Sequence, residues 1–160
     1  IGTGKTSGDP LGFNIKPLAE KYGLWHTTVY EYPKRIPYLD VLIHLQQADA
    51  VFILGSTEPH YTPSKTYQGV LSKKPILAVL HVASTPADVI NESNAGMALT
   101  FPGAAAVGKI ENEFCEMFRK FERFINEFNP ANVDSEFFGQ YSALSVTGKL
   151  AGLLDKAIGL

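Results

Sequence analysis

The stretch ADAVFILGSTEPHYTPSKTYQGVLSKKPILAVL, residues 48–80, decides the fold that the sequence predicts. Residues 50–54 are apolar at every position, and a second run of the same kind, PILAVLHVA, spans residues 75–83. Strands that are apolar throughout are typical of parallel sheets covered on both faces. We therefore expect two buried strands here, joined by a helix over residues 63–72 that Thr62 caps.

Helices and strands alternate along the rest of the chain as well. Capping residues and apolar spacing predict helices over residues 9–22, 38–47, 85–94, 109–128 and 141–158, and strands over residues 26–31 and 96–101. Pro17 lies inside the first of these helices, which it either kinks or restricts to a later start. This alternation predicts an α/β fold, a Rossmann-like, open and mostly parallel sheet with helices on both faces.

The composition is that of an ordinary globular protein. At 160 residues, 45% hydrophobic and 19% charged, the chain has the size of one domain with a sizeable core. The net charge is −2 without a basic stripe, so we expect no nucleic-acid partner. No apolar run approaches the roughly 18 to 20 residues of a membrane span, which leaves peripheral membrane association open. The single cysteine, Cys115, follows Phe114 and favours a reduced core residue in a cytoplasmic protein.

The first residues, IGTGKTSGDP, look like the end of a phosphate-binding P-loop. A P-loop needs a helix directly after its Lys-Thr pair, but the Asp9-Pro10 pair interrupts a helix at that point. No acidic residue ends either buried strand to hold magnesium, so a triphosphatase is not favoured. We expect residues 2–4 to form a turn at a strand end, with Gly4 at the rim of a nucleotide site. Because Ile1 resembles the last residue of a strand, we also expect the chain to begin inside a longer protein.

The richest polar segment follows the first buried strand. Ligands of open α/β sheets bind beyond the carboxyl ends of the strands, where residues 55–64 are expected to lie. Glu58 in this loop is placed to accept hydrogen bonds from sugar hydroxyls, and His60 beside it is a further candidate. Ser64 and Lys65 begin the next helix, whose free N–H groups, dipole and lysine charge suit a phosphate or diphosphate. An equally favoured alternative is that this first turn is simply exposed to solvent and binds no ligand.

Residues 48–80 closely resemble the nucleotide-sugar-binding segment of retaining glycosyltransferases with the GT-B fold. The shared features are an Ala-Asp pair, an apolar strand, small residues, an acidic loop, a Pro-Ser-Lys motif with an aromatic residue, and a Lys-Pro-Ile-Leu-Ala run. Residues 37–49 and 141–158 resemble the preceding helix and the C-terminal helix of the same domain. The resemblance implies that residues 1–160 are one Rossmann-like donor-binding domain, truncated at its N-terminus, whose N-terminal acceptor domain lies outside this chain.

The resemblance also implies roles for individual residues. Glu58 would contact the transferred sugar as the catalytic acidic residue. The residues implied to bind the donor sugar and its diphosphate are His60, Tyr61, Thr62, Ser64 and Lys65. Gln68, Arg35 and Gly4 would contact the ribose or the base. Enzymes of this family usually carry a second acidic residue on the helix, whereas this chain has Thr66 eight positions after Glu58, and Gln68 is uncharged.

The expected function is transfer of a sugar from a nucleoside-diphosphate sugar to an acceptor, in surface polysaccharide or glycoconjugate synthesis. The resembling enzymes need no bound metal, and the histidines show no paired ligand spacing, so we expect neither a metal nor a cofactor. His81 lies within an apolar strand and is interpreted as a core residue. Two alternatives stay open: a nucleotide-sugar epimerase of the same fold, and a non-catalytic nucleotide-binding module.

Overall fold

The sheet of the protein has three parallel strands in the order β1-β2-β3. The strands are β1 (Val51–Leu54), β2 (Ile76–His81) and β3 (Gly96–Phe101). They are seen in the computed structural model of the chain, which describes residue 3 and residues 12–159. The chain divides into two compact units, residues 1–44 and residues 45–160, and the sheet lies in the second.

Helices connect and flank the strands. The described residues form α1 (Lys16–Lys21), α2 (Tyr38–Gln47), α3 (Lys65–Leu71), α4 (Thr85–Glu92), α5 (Ala104–Val107), α6 (Glu111–Glu127), α7 (Ser135–Gly139), α8 (Ala143–Ile158) and a 3₁₀ turn over Pro130–Asn132. Six of these, α1 to α4, α6 and α8, confirm helices that the sequence predicts, with ends that differ by up to several residues. Neither α5 nor α7 lies within a helix that the sequence predicts.

β2 is the central strand, and its backbone pairs with a strand on each side. All four residues of β1 and all six of β3 pair with β2, in a register that sets Val51 against Ile76 and Ile76 against Gly96. Every residue of β2 is buried. The prediction of a parallel strand covered on both faces is therefore confirmed for β2.

Alternate side chains of β2 enter two different cores. The core on one face combines Ile53, Ile76, Ala78 and Leu80 of the sheet with Val70, Ala87, Val89 and Ile90 of α3 and α4. The core on the other face combines Val79, Leu99 and Phe101 of the sheet with Phe114 and Met117 of α6. Helices thus cover both faces of the sheet, an α/β architecture that is compatible with a Rossmann-like fold.

β1 is covered on one face only. Ile53 is buried, whereas Phe52 and Leu54 are 55% and 67% exposed. The ring of Phe52 meets α6 at Phe114, with the ring centroids 6.2 Å apart. The expectation that residues 50–54 are covered on both faces is therefore wrong. An apolar run shows a preference for burial, but the elements that cover it are set elsewhere in the fold.

α6 carries its apolar stripe as the helical period predicts, with one exception. Phe121 is buried and Phe114 is half-buried, while the neighbouring Cys115 is exposed. The interpretation of Cys115 as a core residue is therefore wrong. One position along a helix turns a side chain by about 100°, so Cys115 leaves the face that Phe114 occupies.

α1 begins late within the helix that the sequence predicts. Its first residue is Lys16, so Pro17 lies in the first turn, where a missing N–H breaks no helical hydrogen bond. The helix ends before Gly23, whose φ of 68° does not continue a right-handed helix. The later start that Pro17 allowed is confirmed, and the Asp9-Pro10 pair lies outside the described residues.

The strand predicted over residues 26–31 is wrong. His26 has a φ of 60°, and the N–H of Val29 donates to the carbonyl of Leu24 at 2.9 Å, so this segment folds into local turns. Trp25 and Val29 form an isolated bridge. β-branched and aromatic residues favour strands because they pack well on a sheet, and these residues have local turn partners instead.

A carboxylate distant in sequence caps the start of α1. Glu31 accepts hydrogen bonds from three successive backbone N–H groups, those of Asn14, Ile15 and Lys16, at 2.9, 3.0 and 2.8 Å. Such groups have no carbonyl partner within a helix. Desolvation by burial acts to raise the pKa of the Glu31 carboxyl, but hydrogen bonds from the Thr3 side chain and from the three N–H groups outweigh it. The pKa of Glu31 is therefore lowered.

We expect Glu31→Gln to lower the free energy of unfolding by about 1 kcal/mol, a typical loss for a helix cap. Because the folded-state pKa is lowered, the contribution of Glu31 is complete above the ordinary pKa of glutamate. It is lost as the pH falls through the lowered pKa. Urea denaturation across the acid range should show the difference between wild type and Glu31→Gln shrinking, while the exposed Glu122→Gln control shows no such trend. A difference that is independent of pH would contradict the assignment.

β3 begins at a glycine because its backbone there lies against β2. A Cβ on Gly96 would be 1.9 Å from the carbonyl oxygen of Ile76. Rotation of a side chain cannot relieve a contact with backbone, so a larger residue at this position forces the two strands apart.

We expect Gly96→Ala to lower the free energy of unfolding by about 3 kcal/mol or more, the upper end of overpacking costs. Gly148→Ala in α8 is the matched control, since no atom lies within 4 Å of a Cβ at that position. Alanine favours a helix over glycine, so the control should gain up to about 1 kcal/mol. Urea denaturation measures both effects, and wild-type stability of Gly96→Ala would refute the contact.

Candidate functional site

The chain leaves the carboxyl edge of the sheet at Gly55, the residue directly after β1. The N–H of Gly55 donates to the carbonyl of Val79 at 2.8 Å, which extends the pairing of β1 with β2 by one residue. A Cβ on Gly55 would lie 3.0 Å from Leu80 Cδ2 and 3.2 Å from the carbonyl oxygen of Val79. Glycine therefore allows the close approach of the two strands at the point where the chain leaves the sheet.

Short-range hydrogen bonds shape the β1–α3 loop, residues 55–64. The N–H of Glu58 donates to Ser56 Oγ at 3.1 Å, and the N–H of Tyr61 donates to the carbonyl of Glu58, also at 3.1 Å. The Ser84 hydroxyl, between β2 and α4, donates to the carbonyl of Tyr61 at 3.3 Å. The loop is therefore tied both to itself and to the segment that follows β2.

Most of the side chains that the sequence predicts at the donor site lie together on this loop and the first residue of α3. The exposed members of this set are Glu58, His60, Tyr61, Thr62, Ser64 and Lys65. They provide a carboxylate, an imidazole, hydroxyl groups and an ammonium within one short segment. Such a set can accept hydrogen bonds from sugar hydroxyls and donate them to anionic oxygens.

α3 starts later than the sequence predicts. Its first residue is Lys65, and Ser64 takes the N-cap position without a side-chain hydrogen bond, so the predicted Thr62 cap is wrong. The N–H of Thr66 donates to the carbonyl of Pro63 at 3.0 Å, which makes the first turn tight. Within the described residues no acceptor meets the N–H groups of Ser64 and Lys65. These two groups are therefore available to a ligand oxygen.

Thr66 faces the core of the unit. Its side chain is fully buried, and its Oγ1 has no hydrogen-bond partner in the part of the chain that the structure describes. A fully buried side chain cannot contact a ligand, so Thr66 does not replace the second acidic residue of the resembling enzymes. Gln68, on the same helix, is half-buried, and its role at the ribose stays a prediction.

The other two predicted contacts lie in the first unit of the chain. Arg35 is exposed in the irregular segment between Glu31 and α2. Gly4 lies outside the described residues. Their assignment to the ribose or the base stays a prediction.

His81 ends β2 at the same edge of the sheet as the β1–α3 loop. Its side chain is 9% exposed, and its ring lies against Phe101 with the ring centroids 6.1 Å apart. Its Nδ1 accepts a hydrogen bond from the N–H of Ala83 at 3.0 Å. Burial confirms the interpretation as a core residue, yet the carboxyl edge is also where ligands of such sheets bind. In the sequence, the signal that singles out this residue is a histidine near the end of an apolar run.

Two kinds of site are not found among the residues that the structure describes. Residue 3 and residues 12–159 contain no group of three His, Cys, Asp or Glu side chains that could hold a metal ion. None of the helices in those ranges has both the length and the apolar character that crossing a membrane requires. The expectation of no metal and no cofactor stays a prediction.

Comparisons with protein-family models, with curated proteins and with solved structures gave no match. The fold is therefore stated as an α/β protein with an open parallel sheet of three strands, compatible with a Rossmann-like architecture. Membership of the GT-B glycosyltransferases is a hypothesis that rests on the sequence resemblance and on the chemistry of the loop.

We expect Thr66→Val to raise the free energy of unfolding by about 1 kcal/mol. The reason is that valine keeps the shape of the side chain and removes a buried hydroxyl without a partner. The control is Thr62→Val at an exposed position, which should change stability by no more than about 0.5 kcal/mol. Urea denaturation of the two variants checks the result, and a loss of stability in Thr66→Val would show that the hydroxyl has a partner.

Proposed function

We propose that this protein is a GT-B glycosyltransferase whose β1–α3 loop binds a nucleoside-diphosphate sugar. The observation that carries the proposal is the set of exposed polar side chains that follows β1 at the carboxyl edge of a parallel sheet. A nucleotide sugar combines hydroxyl groups with an anionic diphosphate, and the loop offers partners for both. The resemblance over residues 48–80 supports the same substrate class.

The diphosphate of the donor fits the start of α3. Lys65 is the first residue of α3, so its ammonium group and the free N–H groups of Ser64 and Lys65 belong to the same turn. Negative charge builds up on the diphosphate as its bond to the sugar breaks. Donors held at that position therefore stabilise the transition state more than the bound substrate.

Glu58 is the residue proposed to orient the transferred sugar. Its N–H donates a hydrogen bond to Ser56 Oγ, and its carbonyl accepts one from the N–H of Tyr61. Its backbone is therefore held in place while its carboxylate is exposed. A carboxylate held in this way can accept hydrogen bonds from sugar hydroxyls in a defined orientation. His60 and Tyr61 add further hydrogen-bonding groups on the same loop.

We expect Lys65→Ala and Glu58→Gln each to lower turnover by at least about tenfold in the full-length protein. Loss of Lys65 removes charge stabilisation of the leaving diphosphate, and loss of the Glu58 charge weakens the hold on the sugar. The measurement is the rate of sugar transfer from a panel of UDP-, GDP-, ADP- and dTDP-sugars.

The matched controls are Lys120→Ala and Glu113→Gln, which make the same charge changes on the exposed surface of α6. Both controls should transfer sugar at the wild-type rate. Wild-type rates in Lys65→Ala and Glu58→Gln as well would show that the site is assigned wrongly.

A non-catalytic nucleotide-binding module is the second candidate. The observation that favours it is the full burial of Thr66, which leaves only the uncharged Gln68 on α3 for the ribose. A protein of this kind would bind nucleoside diphosphates in calorimetry and transfer sugar from none of the donors in the panel. The two candidates are thus separated by comparing binding with turnover.

A further inference from the structure

His81 at the end of β2 carries a ring nitrogen for which the described residues provide no partner. The side chain is 9% exposed, and its Nδ1 accepts the N–H of Ala83 at 3.0 Å. A neutral imidazole whose Nδ1 accepts a hydrogen bond carries its hydrogen on Nε2. His81 therefore presents a fixed Nε2–H donor from a side chain that is nine-tenths buried.

A glycine lies beside this donor. A Cβ on Gly103, in the turn after β3, would lie 4.0 Å from His81 Nε2. Gly103 has a φ of 118°, a conformation that residues with side chains rarely adopt. The ring of Phe101 flanks the imidazole without offering an acceptor atom. In the described ranges Nε2–H thus has no protein acceptor, and it is not among the fully buried polar atoms without a partner, so a ligand can reach it from the surface.

The position of His81 relates it to the β1–α3 loop. Gly55 pairs with Val79, two residues before His81, and Ser84, three residues after it, holds the carbonyl of Tyr61 at 3.3 Å. The backbone of His81 therefore lies at the edge from which the loop leaves, and its side chain lies on the Phe101 face of the sheet. The Nε2–H donor and the loop belong to the same edge of the sheet.

We infer that His81 Nε2–H donates a hydrogen bond to an acceptor oxygen of the ligand that binds at this edge. The inference rests on the proposed function, so the oxygen belongs to the diphosphate or to the sugar of a nucleotide sugar. His81 is a binding residue in this role and exchanges no proton with the substrate. The hydrogen bond from Ala83 is what fixes the ring in the donating orientation.

Two variants test the roles of the two ring nitrogens separately. The amide oxygen of His81→Asn can take the place of Nδ1 and accept the N–H of Ala83, but the shorter side chain has no donor at the position of Nε2. The longer side chain of His81→Gln brings an amide N–H close to the position of Nε2. The control is His44→Asn, at an exposed position of α2.

The experiment is calorimetric titration of the full-length protein and its variants with UDP, GDP, ADP and dTDP and with the matching sugar nucleotides. His81→Asn should weaken binding at least about fivefold, the effect of losing one hydrogen bond, while His81→Gln and His44→Asn stay within about twofold. Equal weakening for the diphosphates and the sugar nucleotides identifies a phosphoryl oxygen as the acceptor. Weakening for the sugar nucleotides alone identifies a sugar hydroxyl.

Unfolding in urea and ¹⁵N spectra of the histidines complete the test. Both variants replace a buried ring, so their midpoints of unfolding should fall by similar amounts, and the Nε2 signal of His81 in the wild type should shift when the nucleotide is added. Wild-type affinity in His81→Asn, or an equal loss of affinity in His81→Asn and His81→Gln, would overturn the inference.

The outcomes also distinguish this inference from the proposed function. Nucleotide binding that is lost in Lys65→Ala but unchanged in His81→Asn would remove the role of His81 and leave the proposed function standing. A wild-type protein that binds none of the nucleotides would remove both.

Discussion

The pairing of β2 with a strand on each side is the interaction on which the second unit depends. All six residues of β2 are buried, so the N–H and carbonyl groups of this strand need partners from its neighbours. The side chains then alternate between two cores, which places α3 and α4 on one face and α6 on the other. The β1–α3 loop is positioned by the same strand, through the hydrogen bond from Gly55 to Val79. The backbone at the start of the loop that carries the candidate site is thus held by the sheet.

The three strands of the second unit and most of its helices could be predicted from local patterns. The apolar runs at residues 50–54 and 75–83 indicated the parallel pairing, because runs that are apolar at every position are typical of parallel sheets. The exposure of Phe52 and Leu54 could not be predicted, because it depends on which elements reach the outer face of β1. The strand predicted over residues 26–31 was wrong for a related reason, since strand propensity has no effect without a neighbouring strand.

The candidate site likewise combines features that the local sequence predicts with features that depend on packing. The chemistry of the β1–α3 loop follows from residue types and from its place after a strand, so Glu58 and Lys65 could be proposed from the sequence as members of the candidate site. His81 could not, because its donor depends on the hydrogen bond from Ala83 and on the space beside Gly103. Both features are produced by packing at the end of the sheet.

The buried hydroxyl of Thr66 lies in the segment that carries the candidate site. A polar group that is buried without a partner costs free energy, so the first turn of α3 is less stable than it would be with a partner for this hydroxyl. The same turn presents Ser64 and Lys65, the two residues proposed to hold the diphosphate. A ligand bound there would offset part of the free energy that the buried hydroxyl costs. The stability of one helical turn and the affinity for that ligand would then be coupled.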